Sequence, residues 1–217
     1  MALQLYSHPF SSYCQKVLIA LYENGVSFET ILVGDQKRAD ELADIWPFKL
    51  YPVLVDDGRT VMESSIIIEH LGLKHPGPVR LVPSDPDAAL ETRLMDRVFD
   101  TYVSNAQGRI VGNALRAPQD RDAIGDAKAR ETLDTAYAWL DARLSGRAWA
   151  TGEAFSLADC AAAPALFYAD WTHPIPERFA TLRAYRARLL ARPSFARCVD
   201  DARPFRPYFP LGAPDRD

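Results

Sequence analysis

The sequence predicts a small α/β domain followed by an all-helical domain. Residues 1–75 alternate between short strand-like runs and amphipathic segments in the order βαβαββα. A proline-rich stretch then interrupts regular structure. From residue 88 onward the periodicity is helical throughout and alanine is abundant. We therefore expect an α/β domain at 1–75, a linker at 76–87 and a helical domain at 88–217.

Length and composition restrict the function classes. The chain has 217 residues, is 48% hydrophobic and carries a net charge of −4, so a substantial core is expected in one or two domains. Basic residues are not clustered, which argues against nucleic-acid binding. No apolar run is long enough to cross a membrane. The strand pattern starts directly after Met1 without a leader pattern, so we expect a cytoplasmic protein.

Cysteines and histidines give no sign of a disulfide framework or a metal site. The cysteines Cys14, Cys160 and Cys198 are odd in number and widely spaced, which is typical of reduced thiols. The four histidines form no HxxxH pattern or His/Cys cluster. We therefore expect no bound metal.

The segment from Leu3 to Glu23 reads as strand, turn and helix. Pro9 and the serines Ser11 and Ser12 supply turn and helix-start chemistry, so one of these serines is the expected N-cap. A helix that begins at the end of a strand presents unpaired N–H groups and its positive dipole end to an anion.

Ser11 and Cys14 offer two kinds of chemistry at this turn. The pattern SxxC is a thioredoxin-type CxxC with serine in place of the first cysteine. Lowering a thiol pKa by two units from ~8.5 requires roughly 2.7 kcal/mol. A helix N-terminus gives up to ~2 kcal/mol and a hydrogen bond to a charged group roughly 1.5–3 kcal/mol, so together they suffice. Ser11 can thus stabilise a bound thiolate or act as a cap alone, and Cys14 is either a reactive thiol or a small buried residue.

Two further motifs stand where a ligand could bind. Tyr51-Pro52 precedes a predicted hairpin with an Asp-Gly turn, and a cis bond there would turn the backbone towards a peptide-like ligand, although trans has the higher base rate. Glu63-Ser64 begins the next predicted helix. This pair is either a helix cap or a holder of an amino-acid group, with Ser64 taking a carboxylate and Glu63 an ammonium.

The helical domain is predicted from periodicity, capping and proline positions. Ser156 and Asp159 form a capping box, which we interpret as structural. The tail is rich in proline and is expected to be extended, lying either against the body or free of it. The expected helices cover residues 88–116, 122–144, 156–171, 177–191 and 193–202, and the tail covers 203–217.

The ordered set of motifs, rather than any one of them, resembles the cytosolic glutathione transferases over nearly the whole chain, most closely a serine-type enzyme. The resemblance implies a thioredoxin-like domain that binds glutathione as co-substrate, a helical domain that binds an apolar electrophile, and a homodimer active in detoxification. It also implies that Ser11 faces the sulfur and that Pro52 is a cis-proline. Tyr51 would pair with the cysteinyl unit through its backbone, and Glu63 and Ser64 would hold the γ-glutamyl end.

Some positions depart from the family pattern. Lys49 is displaced by one position from the lysine expected to contact the glycyl carboxylate, so its contact is open. Two other functions therefore stay open, namely a non-catalytic binding or regulatory module and a Cys14-dependent thiol-disulfide reductase. The residues expected on the loop or helices that face the electrophile are Phe10, Tyr13, Arg109, Asn113 and Tyr168, although core packing is a strong alternative for Tyr168 and solvent exposure for Arg109.

Overall fold

The computed structural model describes residues 3–217 and confirms the α/β domain followed by helices. The order βαβαββα in the first domain is as predicted. Its elements are β1 (Gln4–Ser7), α1 (Ser12–Glu23), β2 (Glu29–Leu32), α2 (Gln36–Ile45), β3 (Val53–Asp56), β4 (Arg59–Met62) and α3 (Ser64–Lys74).

The four strands form one mixed sheet in the order β2-β1-β3-β4. β1 pairs parallel with β2, whereas the β1–β3 and β3–β4 pairs are antiparallel. Asp57 and Gly58 form the predicted tight turn, both at positive φ (49° and 83°). This topology places the start of α1, the start of β3 and the start of α3 beside one another.

The second domain contains six α-helices and a π-helical segment, Phe99–Ser104, that joins the first two of them. The predicted helix 88–116 corresponds to these three consecutive helical segments. It begins at Pro86, because the Asp85 side chain caps it and proline fits the first helical turn. The helices are α4 (Pro86–Val98), α5 (Asn105–Ala114), α6 (Ala123–Arg143), α7 (Leu157–Thr172), α8 (Ala180–Leu190) and α9 (Pro193–Ala202).

Helix α7 lies at the centre of the molecule, since each of its residues is buried. The predicted capping box at its start is present. The Asp159 carboxylate also accepts hydrogen bonds from the Ala150 N–H at 2.8 Å and the Tyr185 hydroxyl at 2.6 Å. This side chain therefore ties the start of α7 to the preceding loop and to α8.

Two details of the packing differ from the sequence expectation. For α3 the sequence predicts an apolar face of Ile66, Ile67, Leu71 and Leu73, whereas the buried apolar residues are Ile67, Ile68 and Leu71, and Ile66 and Leu73 are exposed. The tail is not simply extended. Residues Arg203–Tyr208 form a 3₁₀-helix, and Phe209 is buried beyond it. The tail therefore packs on the body, as the alternative interpretation proposed.

Candidate functional site

The start of α1 is organised by Ser11. Its backbone is extended, and its hydroxyl oxygen accepts the Cys14 N–H at 3.3 Å, so Ser11 is the N-cap. Its own N–H donates to the His8 carbonyl at 3.0 Å, which closes the turn. The cap bond uses an oxygen lone pair and leaves the hydroxyl hydrogen able to rotate, so Ser11 can donate either to the Cys14 sulfur or to another acceptor beside the helix N-terminus.

A polar cleft of about 290 Å³ lies on one side of this turn. Tyr51-Pro52 is a cis peptide, as the family resemblance implies. Glu63 precedes α3 with φ of 67° and makes no side-chain cap bond, so its carboxylate is exposed rather than used as a cap. The cleft is lined by Tyr13, Trp46, Leu50, Tyr51, Pro52, Glu63, Ser64, Arg97, Asp100 and Asn105.

Four of the six predicted glutathione-binding residues therefore line one cleft, namely Tyr51, Pro52, Glu63 and Ser64. Ser11 is not among the lining residues and stands two positions before Tyr13, which is one of them. Lys49 does not line it: this residue is exposed in the α2–β3 loop, with φ of 57° and its N–H bonded to the Trp46 carbonyl at 2.9 Å.

Sequence reasoning missed the helical domain's contribution to this cleft. Arg97 and Asp100 lie one turn apart, and Asn105 follows the π-helical segment. A guanidinium and a carboxylate suit the carboxylate and ammonium of an amino-acid group. The three charged residues in the segment 96–100 (Asp96, Arg97 and Asp100) are visible in the sequence. Nothing in the local sequence, however, places them against the first domain.

A buried ion network lies beneath the cleft. Lys16 of α1, only 1% exposed, has its Nζ 2.6 Å from Asp96, 2.7 Å from Asp100 and 2.8 Å from the Ser65 hydroxyl. The Ser65 hydroxyl in turn donates to Asp96 at 2.7 Å. Burial raises the pKa of Asp100, while Lys16 opposes that rise. The network holds α1, α3 and α4 together under Glu63-Ser64.

Tyr13 belongs to the polar cleft rather than to the electrophile side where the sequence placed it. Its hydroxyl donates to the Asn105 side chain at 2.9 Å, across the domain boundary. Burial and nearby Asp100 raise the pKa of Tyr13 to about 12. Tyr13 is therefore protonated at neutral pH and acts as a hydrogen-bond donor between the domains.

A second, more apolar cleft of about 230 Å³ lies on the other side of the turn. Two predicted electrophile residues meet there, because the Phe10 and Tyr168 rings pack edge to face with centroids 5.4 Å apart. Tyr168 is also a buried core residue, and its hydroxyl oxygen accepts a hydrogen bond from the Gln15 side-chain amide at 3.0 Å. The lining residues are Phe10, Ser12, Gln107, Val111, Leu115, Tyr168, Tyr208, Phe209 and Pro210.

Arg109 and Asn113 do not line this cleft. Arg109 is exposed on α5. The Asn113 side chain accepts the Asp122 N–H at 2.7 Å and donates to its carbonyl at 3.3 Å, which joins the end of α5 to the start of α6. Helical periodicity alone placed these two residues, and the orientation of α5 directs them elsewhere.

Cys14 is a core residue in this structure. It is 0% exposed, and burial raises the pKa of its thiol, opposed by hydrogen bonds with Ser7 and Ser11. A thiol that is neutral and inaccessible is a poor nucleophile. The geometry therefore argues against the Cys14-dependent reductase.

Comparisons with known proteins agree with this arrangement. The family model "Glutathione S-transferase, N-terminal domain" matches residues 5–79, and "Glutathione S-transferase, C-terminal domain" matches residues 95–193. The chain belongs to the cytosolic glutathione transferase family. Among its relatives in the family is glutathione S-transferase GstB of Escherichia coli K12, 30% identical over 201 residues, which are 87% of this chain and 93% of GstB.

Other members of the family are named differently. A stringent starvation protein A homolog of Pasteurella multocida is 29% identical over 206 residues, covering 92% of this chain and 91% of that protein. Membership therefore includes proteins whose names do not state a transferase activity.

Solved transferase structures match the whole fold. A glutathione S-transferase of Methylobacterium radiotolerans, in complex with glutathione sulfonate, superimposes with a TM-score of 0.81 at 33% identity, covering 92% of this chain and 95% of that one. A second, from Methylobacillus flagellatus with glutathione bound, gives 0.83 at 26% identity, with 91% and 98% covered. Within residues 3–217, we find no helix that is both long and apolar enough to span a bilayer.

Proposed function

We propose that this family member is a serine-type glutathione transferase, which conjugates the glutathione thiolate to an apolar electrophile. The observation that carries the proposal is the convergence of Tyr51, cis-Pro52, Glu63 and Ser64 on one polar cleft beside the Ser11 cap. Related proteins with glutathione or its sulfonate bound support the choice of ligand.

The proposed orientation places each part of glutathione against complementary groups. The γ-glutamyl ammonium lies near Glu63 and Asp100, and its carboxylate near Ser64, Arg97 and the N-terminus of α3. The backbone of Tyr51 pairs with the cysteinyl unit as a strand would. This leaves the sulfur at the turn between the two clefts.

At that turn the Ser11 hydroxyl donates a hydrogen bond to the glutathione thiolate. The positive end of the α1 dipole stabilises the same negative charge. The thiolate then attacks the electrophilic carbon, a bond forms between sulfur and carbon, and the leaving group departs with its electron pair. The apolar cleft around Phe10 and Tyr168 holds the electrophile, so catalysis combines proximity with thiolate stabilisation.

Binding and turnover must be measured together. Titration calorimetry with millimolar glutathione and a conjugation assay with a chloronitrobenzene are expected to give saturable binding and turnover. Glu63→Gln should weaken glutathione binding about tenfold, because the ligand loses a charged partner. The control is Glu177→Gln, at an exposed position outside the cleft, which should leave binding unchanged. Absence of binding at millimolar glutathione would show that the proposal is wrong.

A second candidate is a glutathione-transferase-like module without turnover. Two observations favour it, namely the position of Lys49 outside the polar cleft and the relation to stringent starvation protein A homologs. Saturable glutathione binding with no conjugation of several chemically different electrophiles would select this alternative.

We further propose a cytoplasmic homodimer. Exposed apolar side chains of Ile66 on α3 and of Leu90 and Leu94 on α4 (55%, 67% and 50% exposed) lie along helix faces that also carry the Glu69–Arg93 ion pair. Large exposed apolar patches of this kind are typical of subunit contacts. Light scattering should give the mass of two chains, and Leu90→Glu should convert it to one, whereas Ile124→Glu on α6 should not.

A further inference from the structure

A cluster of metal-binding side chains lies at the end of the first domain opposite the polar cleft. Asp56 is the last residue of β3, His70 lies within α3, and His75 caps the C-terminal end of that helix. The three possible ligand atoms are all within 4.8 Å of one another. Because α3 begins at the cleft, His75 is roughly 16 Å from it along the helix, so the cluster is a separate site.

The three side chains converge on one point. The Nε2 atoms of His70 and His75 lie 2.7 and 2.8 Å from the same oxygen of Asp56, Oδ2. Donor atoms in a tetrahedral zinc site are separated by roughly 3.3 Å, given metal–ligand distances of about 2.0–2.1 Å. Lengthening each Asp56–histidine separation by about half an ångström would therefore bring it to the spacing of two ligands on one ion.

The burial of the cluster suits an ion that is held but still accessible. The side chains of His70, Asp56 and His75 are 9%, 16% and 33% exposed, so access is from the His75 side. Two imidazoles and one carboxylate form a donor set for borderline divalent ions such as zinc, and not for magnesium or calcium, which prefer oxygen ligands. A fourth position is left for water.

We propose that Asp56, His70 and His75 form a binding site for a zinc-class divalent ion, with three protein ligands and one open position. Each neutral ring binds through Nε2 by carrying its proton on Nδ1 instead, so the ring charge is unchanged. The ion ties the end of β3 to the end of α3, where the chain leaves for the second domain. Sequence spacing did not reveal this site, because its third ligand is on a neighbouring strand.

The test uses tag-free, full-length protein freed of metal by a chelator and then titrated with Zn²⁺ by calorimetry, with Mg²⁺ in parallel. We expect one Zn²⁺ per chain and no Mg²⁺ binding. At about a hundredfold excess over Kd, Zn²⁺ should raise the unfolding temperature by roughly 5 °C or more. No zinc binding by the unaltered protein would overturn the proposal, leaving the trio as a hydrogen-bonded cluster.

Substitutions of the proposed ligands test where the ion binds. His75→Ala and Asp56→Asn should each weaken Zn²⁺ binding by at least about tenfold. The matched control is Asp134→Asn, since Asp134 pairs with His173 at 2.9 Å as an isolated His–Asp pair. If the control loses as much affinity as the site variants, or if the site variants lose none, the assignment is wrong. The visible spectrum of the Co²⁺ form gives an independent readout should Asp56→Asn fold poorly.

Discussion

The two clefts beside the start of α1 are built from the chain in different ways. Tyr51, Pro52, Glu63 and Ser64 of the polar cleft lie within 14 residues of each other in one domain. The apolar cleft instead combines Phe10 with Tyr168 and with the tail from Tyr208 to Pro210. The first depends mainly on backbone geometry at strand and helix starts, to which the second domain adds Arg97, Asp100 and Asn105. The second depends on packing between distant segments.

This difference separates two properties of the proposed enzyme. A site fixed by local backbone conformation suits a constant ligand, which glutathione would be. A site made of side chains from a loop, a buried helix and a tail can change shape by substitution without disturbing the first. If the two sites are separable, a substitution in one cleft should change a different measured quantity from a substitution in the other.

Lys16→Met should have the largest effect, because it leaves Asp96 and Asp100 buried without their cation. We expect a loss of about 3–5 kcal/mol in the free energy of unfolding, measured by denaturant titration. The control is Arg38→Met, which breaks an exposed pair with Glu41 on α2 and should lose no more than about 1 kcal/mol. Equal losses would show that the network does not support the polar cleft.

Ser11→Ala should reduce kcat/KM by roughly 10- to 150-fold, the equivalent of about 1.5–3 kcal/mol for a hydrogen bond to a charged group. Ser11 lowers the pKa of the bound thiol in the proposed mechanism, so its loss should move both the thiolate absorbance and the rate to higher pH. Ser12→Ala lies on the apolar side and should leave the midpoint of the titration in place. An unchanged titration in Ser11→Ala would remove this serine from the mechanism.

Phe10→Ala should alter selectivity rather than glutathione binding. Its ring contacts those of Tyr168 and Phe209, so its removal enlarges the apolar cleft. We expect the kcat/KM ratio between a bulky and a small electrophile to change by about tenfold, with glutathione affinity unchanged. Trp139→Ala, a partly exposed aromatic on α6, is the control. A parallel loss of glutathione affinity would contradict the division into two clefts.

Asn113→Ala should have the smallest effect. The side chain bonds to the backbone of Asp122, so its loss should lower the free energy of unfolding by about 1 kcal/mol. Electrophile selectivity should be unchanged, as measured with the same pair of substrates. A selectivity change here would return Asn113 to the electrophile site where the helical pattern first placed it.

Much of the fold could be predicted because its signals are short-range. The Ser11 cap, the Asp57-Gly58 turn and the capping box at Ser156 each act within one turn of chain, and each is present. The exposed face of α3 was assigned incorrectly, because Ile66 and Ile68 are chemically alike and only packing distinguishes them.

Long-range pairings were beyond local reasoning. Lys16 contacts Asp96 and Asp100 across 80 or more residues, and Tyr13 contacts Asn105 across a similar separation. Arg109 and Asn113 lie outside the apolar cleft for the same reason, since the rotation of α5 about its axis follows from its neighbours.

Local sequence accounts for the element order, for the caps and turns, and for four residues of the polar cleft, Tyr51, Pro52, Glu63 and Ser64, because each is encoded in the backbone preferences of a few consecutive residues. Tertiary structure alone decided that Cys14 is buried, which tail residues line the apolar cleft and that two histidines converge on Asp56. The burial of a residue and its distance from remote residues both depend on how helices and strands pack. Periodicity indicates which face of an element is packed, but it does not identify the element that packs against that face.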